Sequence, residues 1–466
     1  MRLAAAVAIA TGAWWATAAH GAPLSLTEAL AHRGAWCGLA AAAAQASPPA
    51  GGLPPRYPGR AQRVGGLLHD PPAVIPHGTV TRLELDAVST TTAQHLFAYA
   101  GRTIAPAIHV VAGGSLLLTY VDDLPSTSRQ QCSIGPCTNV TNMHFHGYGG
   151  SPNAPADDVL TMLARPGGTT LHYDVPFPPE QPPGLYWYHT HPHTESENQV
   201  LDGMAGAMVV DGIERYVPEI RGLRSHLLVV RAIPVVLGDA VDRGYLRDTE
   251  TPLQGCGITP TSPPDRAFTV DDAIRPTIAG APGERQFWRI VNASADHFAD
   301  LRYTGGAFEI VALDGYPLVW RDPAHRTRLV DHVELPPATR VEAIVTLPPA
   351  GRRAELRSKC FITGPAGDPN PAAVLADVTT SGRAWTPPRS TDFVAISPPL
   401  PAAFAQIPLV ESSPPAFVAV LTEDDHGFYI NGQKFAMDAP PMAQVQVDCH
   451  LLNHEDKGMM AKVLFK

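Results

Sequence analysis

The sequence has 466 residues and a formal net charge of −10, from 34 Lys and Arg against 44 Asp and Glu. This acidic balance argues against a nucleic-acid-binding protein, which normally carries a basic face. The 48 Pro and 40 Gly disfavour long helices, and a hydrophobic share of 45% excludes wholesale disorder. A chain of this length predicts two or three domains rather than one core.

Residues 1–22 have the features of a signal peptide. Arg2 supplies a positive charge, an apolar stretch extends from Leu3 to about Ala19, and small residues surround its end. An N-terminal membrane anchor is the alternative, but the apolar stretch is short and rich in Ala. Since no later segment is long and apolar enough to span a membrane, we expect a secreted or periplasmic protein with no membrane span after signal removal.

Short strand-like segments dominate the chain after an Ala/Pro/Gly-rich segment at residues 23–65, in which only residues 26–39 have helical character. Alternating or apolar runs bounded by Gly and Pro predict strands at 80–88, 109–121 with a central Gly turn, 184–189, 206–212, 227–231, 286–292, 308–313, 340–345, 417–421 and 427–435. Many short strands with turn signals predict an all-β chain of tandem β-sandwiches. The predicted domains are 66–212, 213–385 and 386–466, and the third is short for a sandwich.

Two pairs of histidines in the first predicted domain have the spacing of metal ligands. His144 and His146 flank Phe145, and His189 and His191 flank Thr190. Because side chains at i and i+2 of a strand point the same way, each pair can converge on one metal. Imidazole suits Cu, Zn, Fe and Ni, and burying four imidazoles without a common partner is costly.

A third cluster, near the C-terminus, narrows the choice of metal. Cys449 and His454 could bind one ion, with Met459 as a distant axial ligand, and these are the ligand types of a blue-copper electron-transfer site. By strand alternation His450 would point to the other face, toward a second metal region. A metal-bound Cys449 would then have a short covalent route to that region for electrons.

These stretches resemble those of three-domain multicopper oxidases of the laccase type. The similar segments are TNMHFHG, GLYWYHTHPHTESENQVLDGMAGAMVV, FWRIVNASADHF, VALDGYP, VDHVELPPATRVE, NGQKF and CHLLNHEDKGMM. The resemblance covers the chain from about residue 70 to its end, and the histidine motifs are highly specific in combination. It implies three cupredoxin-like Greek-key sandwiches, with type 1 copper in the third and a cluster of type 2 and type 3 copper between the first and third.

Carried over by motif, the resemblance assigns a role to each of these residues. His144 would bind type 2 copper, and His146, His189, His191 and His450 would bind the type 3 pair. Cys449, His454 and axial Met459 would bind type 1 copper, with Cys449 and His450 as the electron path. The second domain, with scattered His226, His297, His325 and His332, would bind no metal.

The third predicted domain departs from the family in two places. The family's His-Pro-x-His-x-His motif is absent, and Asp448 stands where the family has a ligand histidine. The resemblance implies ten ligand histidines, of which these motifs retain six. We favour an internal segment missing from this sequence near residues 446–448, with a naturally degenerate homologue as the alternative.

The expected function is a copper-dependent oxidoreductase of the multicopper oxidase type. It would oxidise a small reductant (a phenol, an aromatic amine or a metal ion) and reduce O2 to water. A copper-binding homologue without catalytic turnover is the main alternative, because of the missing motif and Asp448. A metal-free interaction protein and a zinc protein are further alternatives, although zinc is not expected to favour the Cys, His and Met set.

Six cysteines in an exported chain permit disulfides. Cys132 and Cys137 lie in a Gly/Pro loop, where they form either a local disulfide or two loop thiols. The sequence does not determine the other pairings or the oligomeric state.

Overall fold

The computed structural model describes most of the chain between residues 63 and 387. The described ranges are 63–91, 94–126, 132, 135–234, 266–320, 322–362, 369–387 and 429–434, with the short terminal strands given below. Cys449, His450, His454 and Met459 lie outside the described residues, as do the predicted helical segment at 26–39 and the predicted signal peptide apart from Ala5–Val7.

Two short strands near the N-terminus pair with strands far along the chain. Strand β1 (Ala5–Val7) pairs with the later strand Ala419–Asp424, and β2 (Arg63–Val64) joins a sheet of the second sandwich. The start of the chain is therefore linked to distant segments by backbone pairing.

Ten strands and one helix make up the described part of the first sandwich. The strands are β3 (Ala73–Val74), β4 (Val80–Ser89), β5 (His95–Tyr99), β6 (Arg102–Thr103), β7 (Ala107–Val111), β8 (Ser115–Asp123), β9 (His144–His146), β10 (Thr169–Pro176), β11 (Gly184–His189) and β12 (Ala205–Asp211). They form two five-stranded sheets in the orders β10-β8-β4-β5-β6 and β3-β7-β12-β11-β9. Helix α1 (Ser196–Asp202) connects β11 to β12.

Alternating side chains explain how the first sandwich forms its core. In β8 each second residue is buried, which places Leu116, Leu118 and Tyr120 inside. The strand before it ends at a turn in which Gly113 has a φ of +75°, a conformation that favours glycine. Phe145 and Tyr188 enter the same core from the histidine-bearing strands, so the histidines beside them point to the other face of their sheet.

Fifteen strands follow in the described part of residues 224–380. They are β13 (Arg224–Pro234), β14 (Arg266–Val270), β15 (Ala273–Ile274), β16 (Thr277–Gly280), β17 (Arg285–Asn292), β18 (Ala299–Tyr303), β19 (Phe308–Leu313), β20 (Tyr316–Pro317), β21 (Arg328–Val330), β22 (His332–Leu335), β23 (Arg340–Thr346), β24 (Ala354–Lys359), β25 (Phe361–Ile362), β26 (Pro369–Asn370) and β27 (Ala373–Thr380). One sheet has the order β2-β15-β14-β13-β17-β23-β19-β20, with β21 added on β19, and the other β16-β27-β24-β18-β22. β25 and β26 pair only with each other, as a separate two-stranded sheet. The described residues of this part of the chain also include 3-10 turns at Ile213–Arg215, Pro218–Ile220 and Leu318–Trp320.

The C-terminal part of the chain forms short paired strands. They are β28 (Ala419–Asp424), β29 (Gly427–Ile430), β30 (Ala443–Gln444), β31 (Val447–Asp448), β32 (Met460–Ala461) and β33 (Val463–Leu464). β28 pairs with β29, β31 with β32, and β30 with β33.

An apolar layer joins the two sandwiches. Trp187 and Val209 of the first sandwich pack in one buried cluster with Leu227, Val291 and Ala338 of the second. At roughly 25 cal/mol per Å² of buried apolar area, a continuous layer of this kind stabilises the pair substantially. The face of β11 opposite the first core is therefore covered by the second sandwich.

The all-β expectation is confirmed, and most predicted strands appear with their ends shifted by a few residues. The Gly turn between β7 and β8 is where the pattern predicts it. Within the described part of the chain, no helix is long and apolar enough to cross a membrane. The limits of the predicted domains remain predictions.

Candidate metal centre

The register of β9 against β11 brings three of the predicted ligands together. The strands are antiparallel, with His189 opposite His144 and Trp187 opposite His146. Phe145 is buried in the sandwich core, so alternation directs His144 and His146 to the other face of the sheet, as the spacing predicts. The imidazole nitrogens available as ligands on His144, His146 and His189 lie within 4.8 Å of one another.

His191 reaches the same place by a different route from the predicted one. The sequence pattern places it on a strand with His189, but β11 ends at His189. Instead, the Asn142 side chain holds the backbone of His191. The His191 N–H donates to Asn142 Oδ1 at 2.7 Å, and Asn142 Nδ2 donates to the His191 carbonyl at 3.2 Å.

Together, the four imidazoles form a compact group. The ring centre of His144 lies 5.6 Å from that of His146, 5.2 Å from that of His189 and 5.3 Å from that of His191. The His189 and His191 ring centres are 5.5 Å apart. His189 and His191 are buried, whereas His144 and His146 are half-buried at the open side of the group.

Oxygen acceptors orient two of these rings. His144 Nδ1 lies 3.1 Å from Asp157 Oδ1, which also accepts the Phe145 N–H at 3.0 Å. His189 Nδ1 lies 2.9 Å from the carbonyl oxygen of Thr190. An ionised carboxylate and a carbonyl only accept hydrogen bonds, so each Nδ1 carries the proton and each Nε2 carries the lone pair. This is the tautomer in which Nε2 can bind a metal.

Trp187 packs directly against the histidines. Its ring is stacked on His189, with centres 4.2 Å apart and planes inclined by 21°, and lies 5.3 Å from the ring of His146. Trp187 is fully buried and also packs with residues of the second sandwich. The side of the histidine group that faces the second sandwich is therefore apolar and shielded from water. Its stacking restricts the rotation of the His189 ring.

The composition of this group indicates which metals it could hold. Four converging imidazoles suit copper, zinc, iron and nickel, and ligand histidines commonly donate their second ring nitrogen to a carboxylate or carbonyl. The Asp157 and Thr190 contacts have that form. The residues present therefore fit a metal with a preference for imidazole, copper included.

A second cluster of ligand-type atoms has another explanation. Cys132 and Cys137 are joined by a disulfide, which confirms the first of the two expectations for this loop. Glu195 lies beside them and accepts the N–H groups of Thr138 at 2.6 Å and Asn139 at 2.9 Å. Burial raises the pKa of Glu195, although these hydrogen bonds lower it. The disulfide and Glu195 hold the loop against the start of α1.

Each scattered histidine of the second sandwich lies next to an aspartate. The described pairs are His226 with Asp70, His297 with Asp296, His325 with Asp322 and His332 with Asp331, at Nδ1–Oδ distances between 2.7 and 3.1 Å. Hydrogen bonds from His297 and Arg266 outweigh burial and lower the pKa of Asp296 to about 2.

The C-terminal copper candidates fall between two paired strands in the sequence. Asp448 ends β31 and lies opposite Met460 of β32 in the antiparallel register. Cys449, His450, His454 and Met459 belong to the segment that connects these strands and lie outside the described residues. Their roles remain predictions.

The sequence patterns miss the residues that hold the histidines in place. Asp157 follows His144 by 13 residues, and Asn142 lies 49 residues before His191, so no local period links them. The stacking of Trp187 on His189 cannot be inferred from spacing. The acidic pair Asp157–Asp158, which follows the MHFHG motif, is the sequence feature that could have indicated a hydrogen-bond partner for His144.

Comparison with known proteins places the histidine group inside a recognised domain. Residues 82–215 match the family model described as multicopper oxidase. A rice protein (Oryza sativa subsp. japonica) named multicopper oxidase LPR1 homolog 1 is 27% identical over 185 residues, which cover 37% of this chain and 30% of the rice protein. The chain therefore spans less than a third of the curated relative in this match.

Solved structures show the same fold. A multi-copper oxidase from Pediococcus acidilactici aligns with a TM-score of 0.58 at 18% identity, over 88% of this chain and 93% of that one. A variant multicopper oxidase from Aquifex aeolicus aligns with a TM-score of 0.56 at 15% identity, over 85% and 98% of the two chains. The cupredoxin-like fold expected from the sequence is confirmed.

Proposed function

We propose that this chain is a copper-dependent oxidoreductase of the multicopper oxidase type, which oxidises a small reductant and reduces O2 to water. The match of residues 82–215 to the multicopper oxidase family model supports this proposal. The observation that carries the proposal is the convergence of four imidazoles at the ends of β9 and β11. A phenol, an aromatic amine or a metal ion is the proposed reductant.

In this proposal His144, His146, His189 and His191 hold copper of the type 2 and type 3 kinds. The donor set fits because imidazole suits copper, and no hard carboxylate is among the three clustered ligand atoms of the histidine group. Bound copper would supply one-electron redox chemistry and a place for O2 to react. The protein's contribution is to fix the ligands and to control access of water.

Neighbouring residues keep the histidines ready to bind. Asp157 and the Thr190 carbonyl hold Nδ1 of His144 and His189 protonated, so that Nε2 points its lone pair away from the backbone. Asn142 fixes the chain at His191 beyond the end of β11. Trp187 excludes water from one side of the group. These contacts lower the cost of ordering the ligands around the metal.

The C-terminal segment would supply the second copper region. We propose Cys449, His454 and Met459 as type 1 ligands, because thiolate, imidazole and a weak thioether are the blue-copper set. Cys449 and His450 would form the electron path to the histidine group. Export of the chain to the periplasm or outside the cell, after removal of residues 1–22, belongs to the same proposal, and N-terminal sequencing of the mature protein tests it.

Histidine variants of the full-length chain test the proposal. We expect His144→Ala and His189→Ala each to lower bound copper per chain and to abolish O2 uptake with 2,6-dimethoxyphenol, p-phenylenediamine and Fe(II). His325→Ala is the matched control, since His325 is exposed on the second sandwich. Copper content and O2 uptake in the two variants equal to those of the control would contradict the proposal.

Two sequence features favour a second candidate, a copper-binding protein without turnover. The His-Pro-x-His-x-His motif is absent, and Asp448 replaces a ligand histidine. Copper analysis, the visible spectrum and O2 uptake separate the two candidates. About four coppers per chain with an intense blue band support the oxidase, and one or two coppers without O2 uptake support the binding protein.

A further inference from the structure

Strand β11 extends beyond the short strand that pairs with it. β9 covers only Trp187 to His189 of β11, with Trp187 opposite His146. Along a strand, the N–H and C=O groups of every second residue point to the same side. The polar groups of Leu185 therefore face the same side as those of Trp187 and His189, beyond the end of β9.

The chain turns away from β11 at Gly147 and cannot cover Leu185. Gly147 has a φ of +87°, and the Tyr148 N–H donates to the Phe145 carbonyl at 3.0 Å in a turn. A Cβ on Gly147 would lie 2.7 Å from Tyr186 Cδ1 and 3.0 Å from Arg340 Nη2. The turn is thus packed between Tyr186 of β11 and Arg340 of β23.

Side chains of β23 take the place of the missing strand. Glu342 Oε2 accepts the Leu185 N–H at 2.9 Å, and Arg340 Nε donates to the Leu185 carbonyl at 3.2 Å. Both side chains belong to the second sandwich, and all three residues are buried. Two polar groups at the edge of the first sandwich are therefore satisfied by the second.

Further contacts hold this pair of side chains in one conformation. Arg289 Nε donates to Glu342 Oε1 at 2.7 Å. Arg340 also donates to the carbonyls of Ala338 at 2.9 Å and Asp314 at 3.0 Å, and its guanidinium lies 5.5 Å from the Tyr186 ring centre. A buried carboxylate with two partners and a guanidinium with three carbonyl partners have little freedom to move.

We propose that Arg340 and Glu342 are positioning residues, which complete the hydrogen-bond ladder of β11 and so hold β9 and β11 in the register that the histidine group requires. A shift of one residue would turn His144 and His146 into the core and Phe145 out of it. The second sandwich then has a role in the metal site although none of its described histidines belongs to the histidine group. This inference rests on the proposed function.

Copper binding by the full-length chain tests the inference. Glu342→Gln leaves one oxygen to serve both Leu185 and Arg289, so one of the two hydrogen bonds is lost. We expect Cu(II), titrated alone into the copper-free chain, to bind the histidine group about 10- to 100-fold more weakly, with an altered electron paramagnetic resonance spectrum. Glu309→Gln is the matched control, because Glu309 pairs with Arg285 at 2.6 Å on the same sheet.

Backbone hydrogen exchange in the copper-free chain measures how well the hydrogen bonds of β11 are protected. In the copper-free chain, the peptide 184–189 should exchange faster in Glu342→Gln than in Glu309→Gln. Arg340→Lys is a second variant, which keeps the charge and weakens the directed bond to Leu185. It is used if Glu342→Gln does not fold. Weaker Cu(II) binding and faster exchange of residues 184–189 are expected for it as well.

The outcomes separate this inference from the proposed function. Equal Cu(II) affinity and equal exchange in Glu342→Gln, Arg340→Lys and the Glu309→Gln control would overturn the inference, provided His144→Ala loses copper. Faster exchange with unchanged copper binding would also overturn it, because the ladder would then not position the ligands. Equal copper binding by wild type and His144→Ala would instead refute the proposed function.

Discussion

Two histidines of the candidate centre, His144 and His189, are held by hydrogen bonds from Nδ1 to an oxygen acceptor. Asp157 and the Thr190 carbonyl select the tautomer with a lone pair on Nε2, and Trp187 limits rotation of the His189 ring. At the scale of single residues, the centre depends as much on these neighbours as on the imidazoles themselves.

Asp157→Asn should weaken copper binding while leaving the fold intact. The amide oxygen can still accept one hydrogen bond, but it lacks the charge that favours a protonated Nδ1 on His144, and a loss of about 10- to 100-fold in affinity is expected. Cu(II) titration of the copper-free chain measures it. Asp158→Asn is the control, since the Asp158 carboxylate accepts hydrogen bonds from the backbone N–H groups of Leu160 and Thr161 instead. Equal affinities in the two variants would contradict the role of Asp157.

A buried carboxyl at Asp122 predicts a pH-dependent stability. Burial raises the pKa of Asp122 to about 8 from 3.8, and the charges of Asp123 and Glu195 add to the rise. Between these values the folded chain holds a proton that the unfolded chain has lost, so this contribution to stability is present at low pH and is lost as pH rises to about 8. The slope is at most about 1.4 kcal/mol per pH unit.

Asp122→Asn should remove this dependence. Urea unfolding of copper-free wild type and variant, compared at several pH values between 5 and 8, should show the variant gaining stability relative to wild type as pH rises. The comparison cancels titration of other groups, such as His95, whose pKa burial lowers to about 4. Glu84→Gln serves as control, because Glu84 is an exposed carboxyl on β4. A constant difference between wild type and Asp122→Asn across this range would refute the prediction.

At the scale of elements, the centre is made by one short strand and the turn that ends it. β9 has only three residues, and two of them are candidate ligands. Its register against β11 sets the distances between the rings, and the turn at Gly147 allows side chains of β23 to reach Leu185. The turn therefore affects both the fold and the site.

Gly147→Ala should destabilise the chain and weaken copper binding. The new Cβ would occupy a left-handed conformation and meet Tyr186 and Arg340, and crowding of this kind costs about 1–3 kcal/mol. Gly167→Ala separates the two causes, since Gly167 has a φ of +99° and a Cβ added there would have no atom within 4 Å. Thermal unfolding and Cu(II) titration of both variants measure the difference. Identical effects in both would mean that the contact with Tyr186 and Arg340 is unimportant.

For the whole molecule, the proposal places two copper regions in separate parts of the chain. The histidine group belongs to the first sandwich, while the thiolate candidate Cys449 lies near the C-terminus. In this proposal Cys449 and the four histidines bind different coppers, so removal of the thiolate alone should affect only the type 1 copper.

Cys449→Ser should abolish the blue absorption band and leave copper at the histidine group. The band arises from thiolate bound to copper, and serine offers no thiolate. Visible absorption and electron paramagnetic resonance of the copper-loaded chain report the two regions separately. Asn453→Ala, within the same motif, is the control. Loss of copper from the histidine group in Cys449→Ser would show that the regions are not independent.

The fold and the pairs of histidines could be predicted from the sequence, because both depend on local patterns. Alternation of period two predicts strands such as β4 and β8 and directs His144 and His146 to one face. The same rule fails for His191, because β11 ends two residues earlier. The position of His191 is set instead by its hydrogen bonds to the side chain of Asn142.

What the sequence by itself determined is therefore the all-β class, the family resemblance and the residue types of the centre. Only the tertiary structure decided which groups surround the imidazoles, because Asp157, Asn142 and Trp187 come together through strand pairing and loop packing. The link from Leu185 to Arg340 and Glu342 spans more than 150 residues of chain and joins two sandwiches. No local pattern encodes such a contact, since it joins the edge of one sheet to side chains of another sheet that is distant along the chain.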